Sequence, residues 1–192
     1  MARTPRMRVV VAAVLLAIGC QSQPQGDGRI PPPLDTTYPD GADGLKKLWS
    51  DILRASIRDD RERVHTLMAS LIMSDDDLIW LFGDELGRKL QPRYVPMVSR
   101  LVNVGAMELV AQVSDRKYDD VEVFLVDEKG SDADRATLRA LKAKVPVYGV
   151  RVKKKEQSFG LRYDFFVYRN GHWVTGNQLA KYLIEARDGG MR

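Results

Sequence analysis

The chain has 192 residues and a mass of 21.7 kDa, 44% hydrophobic and 29% charged, which is the balance of one ordinary folded domain. Its formal charge of +4 is unevenly placed: removing Arg3, Arg6 and Arg8 of the first 19 positions from the 30 basic residues leaves 27 against 26 acidic ones. That near-neutral remainder excludes the usual electrostatic case for nucleic-acid binding, and the single cysteine, Cys20, excludes a disulfide within the chain.

Residues 1–19 read as a signal peptide. Three arginines precede the apolar run Val9 to Ile18, and small residues follow it. The run is shorter than the ~20 apolar residues a spanning helix needs. It ends at Leu16-Ala17-Ile18-Gly19-Cys20, which resembles the lipobox of bacterial lipoproteins, with Ala17 where that motif usually has leucine. The resemblance implies a leader cut before Cys20, a diacylglyceryl group on the Cys20 thiol, and a protein exported and held on a bacterial envelope membrane, on the periplasmic side or at the cell surface. Residues 20–43 are rich in Pro, Gly, Gln and Asp and show no hydrophobic period. They are expected to form a disordered tether, stiffened locally by Pro31-Pro32-Pro33.

A single domain is expected over 44–187, followed by a flexible tail at 188–192. Leu45, Leu48, Trp49, Ile52 and Leu53 form one helical stripe. Val64, Leu67, Met68, Leu71 and Ile72 form a second, entered through Asp59-x-x-Glu62 in the manner of a capping box. Ser74 is placed to cap a third helix, with Asp75, Asp76 and Asp77 at the positive end of its dipole. Leu78, Phe82, Leu86 and Leu90 continue that helix, with a weak point at Gly83 or Gly87. Pro92 is expected to start a fourth, with Val95, Val98, Leu101 and Val102 inward and Gly105 as its stop.

After Gly105 the pattern reads with a period of two. A strand is expected over Met107 to Ser114, a second over Val121 to Asp127 and a third over Val145 to Lys154. Ser131-x-x-Asp134 suggests one short helix in the polar insert between the last two. Leu161 to Gln178 supplies two more strands around Asn170-Gly171, the strongest hairpin signal in the chain. Tyr163, Phe165 and Val167 are expected on one face, with Phe166 and Tyr168 on the other. Both faces are therefore expected to be covered, one by the N-terminal helices and the other by the last helix or a second copy of the chain. Asn177 is placed to cap that last helix, which carries Leu179, Tyr182, Leu183 and Ala186.

The chemistry-bearing residues are sparse. His65 lies at the edge of the second helical stripe and His172 beside the hairpin turn, with no metal-ligand spacing between them. Asp75, Asp76 and Asp77 point about 100° apart on a helix and cannot converge on one ion. There is no phosphate loop, dinucleotide fingerprint, nucleophile elbow or zinc-protease motif, and no cofactor is expected. His65, Tyr168 and Trp173 are the candidate site residues. Arg151 with Lys153, Lys154 and Lys155 suits either anionic headgroups or protection of an exposed sheet edge.

The fold class expected is α+β: N-terminal helices on a curved antiparallel sheet of four to five strands, with a short C-terminal helix. Helices followed by a meander ending in Phe166-Val167-Tyr168-Arg169-Asn170-Gly171-His172-Trp173 resemble the nuclear transport factor 2-like (cystatin-like) α+β superfamily. The resemblance implies a cone with a cavity that hosts either binding or catalysis. The expected function is a non-catalytic, lipid-anchored envelope module that binds a small apolar ligand or another protein. The alternatives are a cavity enzyme with His65 or a buried carboxylate as base, and a structural homodimerisation module.

Overall fold

The computed structural model describes residues 37–176 and 179–187. The leader, Cys20, most of the expected tether and Asn177 lie outside the described residues. The chain begins with α1 (Ala42–Ile57), α2 (Arg61–Ala69), α3 (Asp75–Phe82) and α4 (Asp84–Arg100). A π turn (Leu101–Gly105) leads into α5 (Ala106–Arg116), then β1 (Asp120–Leu125), α6 (Asp132–Ala140) and β2 (Tyr148–Lys153). The hairpin β3 (Gly160–Arg169) and β4 (His172–Thr175) is followed by α7 (Leu179–Arg187). The fold is thus α+β, with one antiparallel sheet in the order β1-β2-β3-β4. No helix among the described residues is long and apolar enough to cross a membrane.

Helices cover both faces of the sheet. On the first, α1, α2 and α5 bury Leu45, Trp49, Val64, Leu67 and Leu109 against Val121, Val150, Val152, Phe166 and Trp173. Trp49 is the centre of this layer, its ring 4.5 Å from that of Tyr163 and 5.6 Å from Phe166. On the second face, α3, α4 and α7 bring Leu78, Phe82, Leu90, Tyr94 and Leu183 onto Phe165, Val167 and Val174. The N-terminal boundary of the first layer lies ahead of residue 44. Tyr38 is buried with its hydroxyl donating to Asp51 at 2.8 Å, and the Trp173 indole N–H donates to the Pro39 carbonyl at 3.0 Å.

Six local expectations are corrected. Residues 107–114 are helical, not a strand, and four strands result. Ala106, Leu109, Val110 and Val113 are the buried positions, a helical spacing that Leu109 and Val113 alone left ambiguous. Pro92 does not start a helix: Pro92 and Pro96 both lie inside α4. Both are exposed, so the carbonyls they leave unpaired face water, while Leu90, Tyr94 and Val98 hold the opposite side to the core. Gly105 is not a stop. The π turn carries the rod on, and its extra residue moves the buried stripe from the second layer, at Val102, to the first, at Ala106. Val95, expected inward, is exposed.

The cap of α2 is Asp60, which accepts from the Arg63 N–H, rather than Asp59. Asp59 sits at φ 55 and makes the reversal after α1, a conformation that a short polar side chain tolerates. The faces of β3 also differ from simple alternation. The β2–β3 register shifts between Tyr148↔Phe166 and Val150↔Tyr163, and Phe165 takes φ 64. This bulge puts Tyr163 with Phe166 and Tyr168 on the first face, and Phe165 with Val167 on the second. The hairpin turn itself is as expected, with Asn170 at φ 50 and Gly171 at φ 86, both positive as a type I′ turn requires.

Candidate functional site

Two short helices are fixed on the second face by the same device. Ser74 and Ser131 each cap a helix through a complete capping box, with Asp77 and Asp134 as the reciprocal partners. Each aspartate is buried and also accepts from an arginine of β3. Arg169 reaches Asp77 at 2.9 Å and donates to the Asp76 carbonyl at 2.7 Å, while its guanidinium lies 4.5 Å over the Trp80 ring. Arg162 bonds both Asp134 oxygens at 2.9 and 3.0 Å and lies 5.1 Å over the Phe124 ring. A third fixture lies beside the first: the Tyr94 hydroxyl accepts from Met73 N–H and donates to the Thr175 carbonyl, both at 2.8 Å. Burial raises the Tyr94 phenol well above its ordinary range.

Between these helices lies a cleft of about 570 Å³. Its apolar wall is Phe82, Leu86, Ala136, Ala140 and Leu183, drawn from α3, α4, α6 and α7. Gly83, at φ 81, turns the chain between α3 and α4 and lets the Lys142 stem pass close by; a side chain there would be strained and would meet that stem. The Lys142 N–H donates to the Leu81 carbonyl at 2.7 Å, tying the α6 exit to the cleft. Asp84, Glu85, Lys89, Arg139 and Lys142 form the charged rim. Asp84 and Glu85 are held below the ordinary carboxylate range by hydrogen bonds from Arg88 and Lys89 and by their charge. The cleft therefore offers apolar contact inside and charges of both signs outside.

A carboxylate cluster lies around Arg162. Arg162 also donates to Asp164 at 2.7 Å, so one guanidinium serves two acids. Burial works against ionisation of Asp134, but the bonds from Ser131 and Arg162 outweigh it and hold its carboxyl below the ordinary value. Burial raises Asp164, and the nearby Asp134 adds to this, against the opposing pull of Arg162. Alongside, Glu122 meets Arg151 at 3.0 Å and Lys153 at 3.2 Å.

The structure does not bring the three candidate residues together. His65 is on α2, with Nε2 3.2 Å from Asn103 Oδ1 on the π turn. Tyr168 and Trp173 are neighbours on the first face, their rings 5.3 Å apart, and Trp173 is buried. His172 is exposed beside the turn, and Lys153 is engaged by Glu122. None of these residues lines the cleft. Among the described residues no group of acidic, histidine or cysteine side chains is arranged to hold a metal. The cleft itself left little trace in the sequence. Ser74-x-x-Asp77 and Ser131-x-x-Asp134 marked the helix starts, but nothing local linked them to Arg169 and Arg162.

Comparison with protein-family models, with curated proteins and with solved structures gives no match.

Proposed function

We propose that the chain is a lipid-anchored protein of the cell envelope whose folded domain binds an apolar segment of a ligand or partner protein in the cleft between α3–α4, α6 and α7. The observation that carries the binding part is the division of the cleft into an apolar interior and a charged rim. An interior of that kind removes apolar surface from water, and the rim orients what enters. The anchoring part rests on the leader and on Cys20 at its end. A lipid there, joined by a second acyl chain, supplies the two signals that stable anchoring needs.

Native mass spectrometry of the full chain purified from its own host tests both parts. A lipid mass lost in Cys20→Ala, and a bound species lost in Ala136→Trp, are the expected results. A lipid mass that persists in Cys20→Ala, or a bound species unaffected by filling the cleft, would sink the corresponding part.

A second reading is acid–base catalysis in a nuclear transport factor 2-like cone. The observation that favours it is Asp164, a carboxyl raised by burial beside a second acid. Asp164 lies outside the cleft and bonds Arg162, so substrate would have to reach it from its solvent-exposed side. Turnover of a screened substrate that Asp164→Asn abolishes, with the cleft filled by Ala136→Trp, would select this reading over the first.

A further inference from the structure

The charges at the mouth of the cleft are balanced differently on its two sides. On the α4 side each acid has a cation one turn further along its own helix. Arg88 bonds Asp84 at 3.0 and 2.9 Å, and Lys89 bonds Glu85 at 2.9 Å. The charges of these acids are thus already answered within α4. On the α6 side stand Arg139, in the last turn of α6, and Lys142, two residues past its end. Both are exposed, and among the described residues neither side chain has a hydrogen bond or an ion pair. Arg139 follows Ala136 by three positions and so shares its side of the helix. The Lys142 stem passes over Gly83, its Cγ 3.2 Å from where a side chain there would begin. Two unanswered cations therefore border one side of an apolar interior.

The interior is selective as well. Phe82, Leu86, Ala136, Ala140 and Leu183 bring no polar side-chain atom to it. A peptide segment entering it would take main-chain N–H and C=O groups out of water with no side-chain partner to meet them. An alkyl chain carries no such groups, and its burial is favourable along its whole length. The volume of about 570 Å³ lies within the roughly 300–1,000 Å³ that holds one small ligand.

We infer that the ligand of the cleft is a fatty carboxylate, its alkyl chain against the apolar wall and its head on Arg139 and Lys142. The inference rests on the cleft reading and narrows it to one class of ligand. A guanidinium can take both oxygens of a carboxylate in its plane, and an ammonium adds a compact point charge.

Photo-crosslinking of a dodecanoate with a diazirine near its methyl end, to the full chain in phosphatidylcholine nanodiscs at mildly alkaline pH, tests this. Mass spectrometry maps the labelled peptides. Labelling is expected on α4, α6 or α7, and its loss in Ala136→Trp. Unlabelled dodecanoate should compete at least about ten times better than methyl dodecanoate, which has the same chain without the charge. Arg139→Gln combined with Lys142→Gln should remove that preference and leave competition by the ester unchanged. Both positions are exposed, and circular dichroism checks the fold. Equal competition by acid and ester, or a preference that survives the double substitution, would overturn the carboxylate head. No labelling in the cleft, or labelling that Ala136→Trp leaves intact, would overturn the ligand class. A peptide seen by native mass spectrometry and lost in Ala136→Trp would overturn the fatty carboxylate while leaving the cleft reading in place.

Discussion

Arg169 and Arg162 lie seven positions apart on β3 and perform the same task on α3 and α6, in different surroundings. Each pairs with the third residue of a capping box and lies over an aromatic ring. At the first pin the side-chain exposures are 17% for Arg169 and 4% for Asp77, and at the second 37% for Arg162 and 6% for Asp134. The first arginine depends on its one carboxylate and the Asp76 carbonyl, while the second has Asp164 and solvent in reserve. The same drawing of bonds thus has two energetic meanings. Where both ions are desolvated, loss of one strands the other; where one is half in water, the loss is absorbed.

The sharpest way to break the comparison is Asp77→Ala, which removes the reciprocal half of the α3 capping box and leaves the largely covered Arg169 without its counter-ion. A cost of about 4 kcal/mol is expected in urea unfolding. Tyr94→Phe comes next. It orphans the Met73 N–H beside the same helix, removes one bond to the Thr175 carbonyl, and should cost about 2 kcal/mol in the same measurement. Asp134→Ala should cost less than either, about 1.5 kcal/mol, because Arg162 keeps Asp164 and water. Equal costs for Asp77→Ala and Asp134→Ala would end the distinction between the pins.

The smallest effect sharpens it through pH. Asp134 is held below its ordinary value when folded, so its contribution is full above that ordinary value and is lost as pH falls through the depressed one. Asp164 has the opposite sign. Its folded carboxyl is raised, so stability declines as pH rises from the ordinary value through the raised one, and the loss persists above. Asp164→Asn should flatten that decline and change stability at neutral pH by less than about 0.5 kcal/mol. A stability–pH curve that Asp164→Asn leaves superimposed on the original contradicts this sign.

Legibility in the sequence followed the range of the interaction. The α1 stripe, both serine caps and the Asn170-Gly171 turn are local and were readable, because the residues that decide each lie within one or two turns of chain. The segment 107–114 was not. Leu109 and Val113 fit an alternating and a helical period alike, and the deciding residue, Ala106, stood behind a glycine read as a stop. Pro92 misled for a related reason: inside a helix a proline is tolerated where the carbonyl it leaves unpaired faces water, and the sequence does not show which side is wet. The bulge at Phe165 depends on the β2 register. The cleft depends on Phe82, Ala140 and Leu183, residues brought together by the tertiary fold alone.

Tyr38 and Pro39 give the domain a mechanical character. A pull on the chain from the N-terminal side of Thr37 enters the fold through these two residues. The Tyr38 hydroxyl passes part of the load to Asp51 in the middle of α1, and the Pro39 carbonyl passes part to Trp173 on β4. The first helix and the last strand therefore share the strain, and α1 is shielded from peeling off at its free end. Under the proposed anchoring at Cys20, drag on the domain would be met by the first core layer as a whole.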